Sequence, residues 1–359
     1  MFFHLLYPLK IYFSAFNVFR YITFRTLGAV LTALIITLFI GSWCIKKLKE
    51  LQIGQYIRED GPQSHHSKAG TPTMGGLMII FAVLVSTFLW ADLRNHYIWL
   101  LVLVTLGFGL VGFWDDYLKV IKKQNRGLTG REKLWWQSVI GLGAAIMLYL
   151  LPEFKTTLTI PFFEEVRPEL SWGFIPLALL VIVGTANAVN LTDGLDGLAI
   201  GPVTIAAGFY AIFAYLAGNI IIARYLKITF VPGVGEISVF LGAVVGAGIG
   251  FLWYNAYPAQ IFMGDVGALA LGGVLGTVAL ATKQEILLIL VGGLFVVEAL
   301  SVILQVGFFK ATNGRRIFRM APIHHHFELM GWPEPKVIVR FWIIAIVLGL
   351  LSLSTLKLR

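Results

Sequence analysis

Charge is scarce in this sequence. Only 13% of its 359 residues are Asp, Glu, Lys or Arg, against roughly 25% in an ordinary soluble protein. Its 19 acids and 28 bases cannot cover the surface that a water-soluble chain of this length exposes. This excludes a soluble enzyme, a nucleic-acid-binding domain and a disordered protein as readings of the whole chain. Cysteine is scarcer still. Cys44 stands alone in an apolar run, so no internal disulfide can form. The strict polar–apolar alternation of a transmembrane barrel is also missing. No small-residue cleavage site follows a short apolar core, so no removable signal peptide is expected.

Apolar runs fill the space instead. Hydrophobic residues make up 58% of the chain, and mean hydropathy is +0.82. A helix needs about 20 apolar residues to cross the hydrocarbon core. Ten segments qualify: 22–45, 74–91, 97–118, 133–151, 173–190, 198–217, 237–254, 266–282, 285–309 and 337–356. The chain therefore reads as an all-α polytopic membrane protein with ten transmembrane helices. Residues 1–359 form a single integral membrane domain with no repeat period. Segment 1–21 mixes apolar, aromatic and basic residues and is expected to lie as an interfacial helix. The connection 151–172, with Pro152, Pro161 and Pro168, is expected to hold a short hairpin.

The formal net charge of +9 is placed unevenly. Connections after odd-numbered spans carry sixteen Lys and Arg, from Lys46 to Lys336; those after even-numbered spans carry six, from Arg94 to Lys283. Positive loops stay inside. The odd connections are therefore expected in the cytoplasm, with both termini outside.

Five of the seven aspartates fall in three motifs. Asp115 and Asp116 end span three, Asp193 and Asp196 join spans five and six, and Asp265 opens span eight. Span parity puts all three on the cytoplasmic side. Acids are expensive in apolar helices and rarely idle there. Carboxylates gathered at one face beside lysines suit Mg²⁺, a hard cation commonly shared between carboxylates and substrate phosphates. The structural alternative is that each acid caps a helix N-terminus. Glycines flank Asp196 and Asp265, where backbone can approach a ligand. Gly242, Gly246 and Gly250 form a small-residue ladder better suited to helix packing.

Three histidines run together at His324, His325 and His326 in the last inner connection. Transition-metal binding, phosphate contact, general acid work and plain loop structure are all open to them. Lys68 and Thr73 sit in a Gly/Thr/Pro-rich connection that suits either a phosphate or a turn. Lys119 and Lys133 could meet phosphate beside the aspartate pair, or anchor helix ends. Glu298 and Gln305 share a face of span nine; Glu298 reads as structural and Gln305 as able to reach a polar ligand. Gly292 and Gly293 mark a kink in that span. A transporter would also bear intramembrane acids, but near the midplane and within internal repeats.

The motifs TPTMGG at 71–76, FWDD at 113–116, NAVNLTDGLDGL at 187–198, PAQIFMGDVG at 258–267 and APIHHHFELMGWPEPKVIVRFW at 321–342 together resemble the phospho-N-acetylmuramoyl-pentapeptide transferase family. The likeness runs along essentially the whole chain. A wider superfamily of polyprenyl-phosphate N-acetylhexosamine-1-phosphate transferases shares the aspartates; the triple histidine separates this branch from its sisters. The resemblance implies a Mg²⁺-dependent transfer from UDP-N-acetylmuramoyl-pentapeptide to undecaprenyl phosphate, giving lipid I and UMP. It also implies cytoplasmic-face chemistry in the bacterial inner membrane, and a homodimer. It places catalytic roles on Asp115, Asp116 and Asp265, with Asp265 on the magnesium. Nucleotide recognition falls on Lys68, Asn190, Asp193, Gly194, Leu195, Asp196, Phe262 and Gln305. Asn255, His324, His325 and His326 join the substrate pocket. The lipid tail is expected along a groove beside spans five, eight and nine.

Overall fold

The computed structural model describes residues 1–51, 70–120, 127–152, 154–161, 163 and 166–357. Lys68 lies outside them. Ten long helices carry the fold: α1 (Ile22–Glu50), α2 (Gly76–Trp90), α3 (His96–Val120), α4 (Gly130–Tyr149), α5 (Phe174–Thr192), α6 (Ile200–Ala217), α7 (Ile237–Asn255), α8 (Gly264–Ala281), α9 (Gly293–Ala311) and α10 (Glu334–Ser354). Among the described residues there is no strand; an isolated antiparallel bridge joins Thr157 to Glu169 in the connection before α5.

Eight of these helices are long and apolar enough to cross a membrane. α2, at 15 residues, is shorter. α4 opens with Arg131, Glu132 and Lys133 and is not among the eight. Its start is fixed by a capping box, in which Thr129 and Glu132 satisfy each other's backbone N–H groups.

Two segments depart from the sequence-based expectation. Segment 1–21 is not one helix: Phe2–Leu6 is α-helical, and two 3₁₀ stretches follow at Tyr7–Ile11 and Ser14–Arg20. Pro8 at the start of the first 3₁₀ stretch has no N–H to give to a continuing α-helix. The apolar run 285–309 is likewise divided. A short helix, Leu288–Val291, stops at Gly292, and α9 begins afresh at Gly293.

α8 is the centre of the bundle. Every residue from Val266 to Ala281 is buried. Its composition of Gly, Ala, Val and Leu explains how. Cβ atoms added at Gly272 and Gly276 would come within 2.7 and 2.9 Å of the Cα atoms of Ala186 and Ile182 on α5. The two backbones therefore pack almost directly on each other, as small-residue spacing allows in membranes. α3 meets α8 in the same way, because a Cβ on Gly112 would collide with the Asp265 carbonyl. The Gly242–Gly250 ladder of α7 takes the expected packing role: α1 lies against it through Thr26, Val30 and Thr37. α1 accordingly buries an i, i+4 stripe of Arg25, Ala29, Ala33, Thr37 and Gly41.

The two ends of the bundle differ. At one end Arg25 of α1 grips Glu236, just before α7, through two hydrogen bonds of 2.7 and 2.5 Å. Glu236 also accepts from the Asp92 N–H, 3.1 Å away. Nearby on the same flank, the N-terminal amine donates to Phe88 O at the close of α2. The opposite end collects the C-termini of α3 and α5 with the N-termini of α4 and α8. All three aspartate motifs lie there.

Candidate active site

The first turn of α8 organises this end. Asp265 projects from it toward two lysines and an amide. Lys133 Nζ lies 2.8 Å and Lys119 Nζ 2.9 Å from Asp265 Oδ2. Asn190 donates to Oδ1 at 2.7 Å. Lys119 also pairs with Asp115 Oδ2 at 2.6 Å, one helical turn back on α3. Asp115 Oδ1 accepts the Leu128 N–H at 2.7 Å, which ties the connection before α4 to the site.

Helix packing explains why residues so far apart in sequence converge. The glycine contacts between α5 and α8 bring Asn190, at the end of α5, beside Asp265. The close approach at Gly112 sets Asp115 and Asp116 a turn away. A short backbone ladder secures the remaining flank: Phe262 N donates to Pro72 O, Gly75 N to Phe262 O, and Gly76 N to Met263 O. Gly264 closes the turn with φ +72°. A side chain there would press on Asp116 Oδ2 and Thr73 Oγ1, at 2.6 and 2.9 Å from its Cβ.

The helix-capping alternative holds for two of the acids. Asp116 accepts the Val266 N–H at 3.3 Å, and Asp193 accepts that of Gly264. Both satisfy orphan donors of the first turn of α8. Asp193 lies just beyond α5. Burial, and then the nearby negative charge of Asp265, push its carboxyl up to about 8. Asp196 is committed elsewhere: its buried side chain accepts the Ala259 N–H at 2.9 Å.

Asp115, Asp116 and Asp265 can each offer one oxygen within 4.8 Å of the others'. Two of them are buried. Three hard anionic oxygens converging on one point suit a divalent cation of the Mg²⁺ type. The lysines already balance part of the charge. The donor set therefore fits such an ion, which would share the Asp265 and Asp115 oxygens with them.

The three histidines have three different environments. His324 is fully buried, with Nδ1 3.1 Å from Glu298 Oε2. His325 Nδ1 lies 2.7 Å from Glu328 Oε2, one turn along the same short helix. His326 Nδ1 instead accepts the Arg319 N–H at 3.1 Å, which leaves its Nε2 to carry the ring hydrogen when neutral. Side by side in sequence, they do not converge on one point.

Other residues singled out by sequence stand apart from the carboxylate cluster. Gln305 accepts from the Ile317 and Phe318 N–H groups and donates to Phe318 O, so its amide is engaged with the connection after α9. Asn255 is buried and donates to Ile261 O at 2.8 Å, bracing the turn before α8. Leu195 is buried, and the Phe262 ring is half-buried. Two further acids take part, Glu298, which the sequence suggested as structural, and Glu334, which it did not single out. Glu298 holds His324, and Glu334 of α10 accepts the Asp196 N–H at 3.0 Å. The signal for Glu298 was its place within an apolar helix. Glu334 had no signal beyond the Pro-Glu-Pro start of its helix.

A groove of about 460 Å³ opens between α4 and α5. Leu134, Leu179, Leu180 and Val183 line it, with Asn187 on the wall. It lies on the α4 side of α5, not among spans five, eight and nine where the lipid tail was expected.

Residues 98–283 match the family model described as Glycosyl transferase family 4. The helical bundle is thus that of a glycosyl transferase family, with helices long and apolar enough to cross a membrane. Residues 68–80 match signature 1 of the phospho-N-acetylmuramoyl-pentapeptide-transferases. A protein of that name from Syntrophus aciditrophicus is 63% identical over 359 residues, covering all of both chains. Another, from Desulfatibacillum aliphaticivorans, is 64% identical over 361 residues, and one from a Geobacter species 60% over 359, again across both chains in full. The chain belongs to the phospho-N-acetylmuramoyl-pentapeptide-transferase family, the enzymes that make lipid I in peptidoglycan synthesis.

Proposed function

We propose that this chain transfers phospho-N-acetylmuramoyl-pentapeptide from its UDP carrier to undecaprenyl phosphate in the bacterial inner membrane. A lipid phosphate oxygen forms a bond to the sugar-linked phosphorus, and the P–O bond to UMP breaks. UMP leaves with that electron pair, so one phosphoanhydride is exchanged for another. The observation that carries this reading is the Asp115–Asp116–Asp265 cluster with Lys119, Lys133 and Asn190 around it.

Phosphoryl transfer depends mainly on positioning and on neutralising charge. Asp265, Asp115 and Asp116 would hold Mg²⁺, which supplies charge neutralisation at the diphosphate. Lys119 and Lys133, whose ammonium groups meet at Asp265, are placed to pass from that carboxylate to phosphate oxygens. Asn190 fixes the Asp265 carboxylate plane through its amide. Asp193, Gly194, Leu195, Asp196, Asn255, Phe262 and Gln305, with Thr73, form the donor side of the pocket, Lys68 takes part in nucleotide recognition, and the Phe262 ring offers a face to uracil. His324, His325 and His326 close that pocket from the α9–α10 connection. The acceptor's phosphate sits at headgroup level. Its tail runs into lipid beside α5, where the groove against α4 gives apolar walls close to Lys133 and Asn187.

The bundle crosses the membrane ten times, with the aspartate end in the cytoplasm, the 151–172 connection as an outer hairpin, and both termini outside. Two copies form a homodimer. The excess of basic residues in the connections at the aspartate end supports this orientation.

The test is UMP release by purified, detergent-solubilised protein given UDP-N-acetylmuramoyl-pentapeptide, a polyprenyl phosphate and Mg²⁺, with EDTA as control. Release that needs both substrates and stops with EDTA is expected. Release with UDP-N-acetylglucosamine in place of that donor would move the chain to a sister activity. Silence with both donors, in folded protein, would refute the proposal.

A further inference from the structure

The pair formed by Glu298 and His324 is unlike the other polar contacts at this end. Both side chains are fully buried. Each spends one polar atom on the other and keeps one in reserve: among the described residues, Glu298 Oε1 and His324 Nε2 have no hydrogen-bond partner. A buried polar atom left alone costs about 1–3 kcal/mol, so two in one dyad call for an explanation. The free end of the ring has a definite target. His324 Nε2 abuts Gly194, where it occupies the space a Cβ would need. Gly194 follows directly on Asp193, which accepts from the first turn of α8, and lies two residues from Asp196. The other end of the dyad is anchored in α9, near the break at Gly292.

We infer that Glu298 is a positioning residue for the reaction, acting through His324. A carboxylate can only accept a hydrogen bond, so Nδ1 of His324 carries the ring hydrogen. When neutral, the ring then presents Nε2 as a lone pair toward the Gly194 turn. That polarity decides what the histidine takes. It receives an N–H or O–H group of the nucleotide-sugar donor, or of the turn as the donor seats, and it does not bind a phosphate oxygen. His326, whose Nδ1 accepts from Arg319, has the opposite polarity and leaves its Nε2 as a donor. The inference rests on the transferase reading given above.

The test uses the full chain and the UMP-release assay. Glu298→Leu removes the acceptor at similar size and is expected to lower kcat/KM for the nucleotide-sugar donor about 10- to 100-fold, the usual cost of removing a partner that orients a histidine. The KM for polyprenyl phosphate should stay unchanged. Glu298→Gln keeps an oxygen for Nδ1–H and should recover most of the loss. In a His324→Ala background, Glu298→Leu should cost nothing further. Wild-type kcat/KM in Glu298→Leu, or losses that multiply with those of His324→Ala, would overturn the inference. Should the leucine variant fail to fold, ¹⁵N-histidine NMR of the wild-type protein decides. A ring hydrogen on Nδ1 of His324 is required, and one on Nε2 overturns the assignment. Wild-type protein that releases no UMP would strike the transferase reading, and the ring measurement would still decide this one.

Discussion

Replacing Asp265 by asparagine changes charge with almost no change of shape, so its consequences can be worked from the geometry. The carboxylate accepts from Lys133 at 2.8 Å, Lys119 at 2.9 Å and Asn190 at 2.7 Å. The amide keeps one oxygen. Its NH₂ group must then face either two ammonium groups or the Asn190 NH₂, and each choice is repulsive. Two charge-assisted hydrogen bonds are lost, at about 1.5–3 kcal/mol each. Some solvent reaches the pair, since the Lys133 and Asp265 side chains are 17% and 15% exposed. Screening lowers the expected loss to about 2–4 kcal/mol. The thermal midpoint of Asp265→Asn in detergent should therefore fall by several degrees. Adding Lys133→Met should restore much of it, because an unpaired buried charge is more costly than a missing pair. Turnover should not follow stability. Both the single and the double variant should lose at least about 100-fold in UMP release, the scale for one removed electrostatic group at a reacting centre. Mg²⁺ should raise the midpoint of the wild type and leave that of Asp265→Asn unmoved. Wild-type-like turnover in Asp265→Asn, or an equal Mg²⁺ shift in both proteins, would refute the site assignment.

Two further outcomes follow from other groups. Asp193 has its carboxyl raised from an ordinary value near 3.8 to about 8. Between those values the folded chain holds a proton that the unfolded chain has released. Stability in EDTA should therefore fall as pH rises from about 4 to about 8 and level off beyond. Asp193→Asn should flatten that slope in thermal midpoints taken from pH 5.5 to 8.5, and an unchanged slope would remove the assignment. At the opposite end, Glu236→Gln strands the guanidinium of Arg25, which is only 2% exposed, and should cost about 3–5 kcal/mol. Arg25→Met with Glu236→Leu should recover most of this in a thermal melt and leave UMP release unchanged. Failure of the double replacement to recover would show that Arg25 matters through Trp90 O and the Phe3 ring instead.

The helices and the meeting of the aspartates were legible in the sequence because both rest on simple periodicities. A hydrocarbon core demands long apolar runs, and counting those runs puts Asp115, Asp193 and Asp265 at one end. The paired glycines at 292 and 293 marked the disturbance in span nine, but as a kink in one helix and not as the division between two helices that is found. The N-terminal segment was misjudged, since Pro8 decides its geometry more than its apolar composition does. The partners of the histidines could not be read at all. Three identical neighbours in a row give no hint that one will face Glu298, another Glu328 and the third Arg319, because those contacts depend on how the α9–α10 connection folds back over the bundle. Gln305 shows the same limit. Its place on the face of Glu298 is helical arithmetic, but its engagement with Ile317 and Phe318 is tertiary.

The packing of α8 also constrains how this protein can change. Asp265 stands on a helix whose neighbours touch it backbone to backbone, at Gly112 on one side and through Gly272 and Gly276 on another. Any larger side chain at those glycines has no space to enter, and rearranging two packed backbones is far harder than repacking side chains. Mutational drift around the carboxylates is therefore channelled away from these glycine contacts. An inhibitor that bound only to the first turn of α8 and the three aspartates would leave the bacterium few routes of escape.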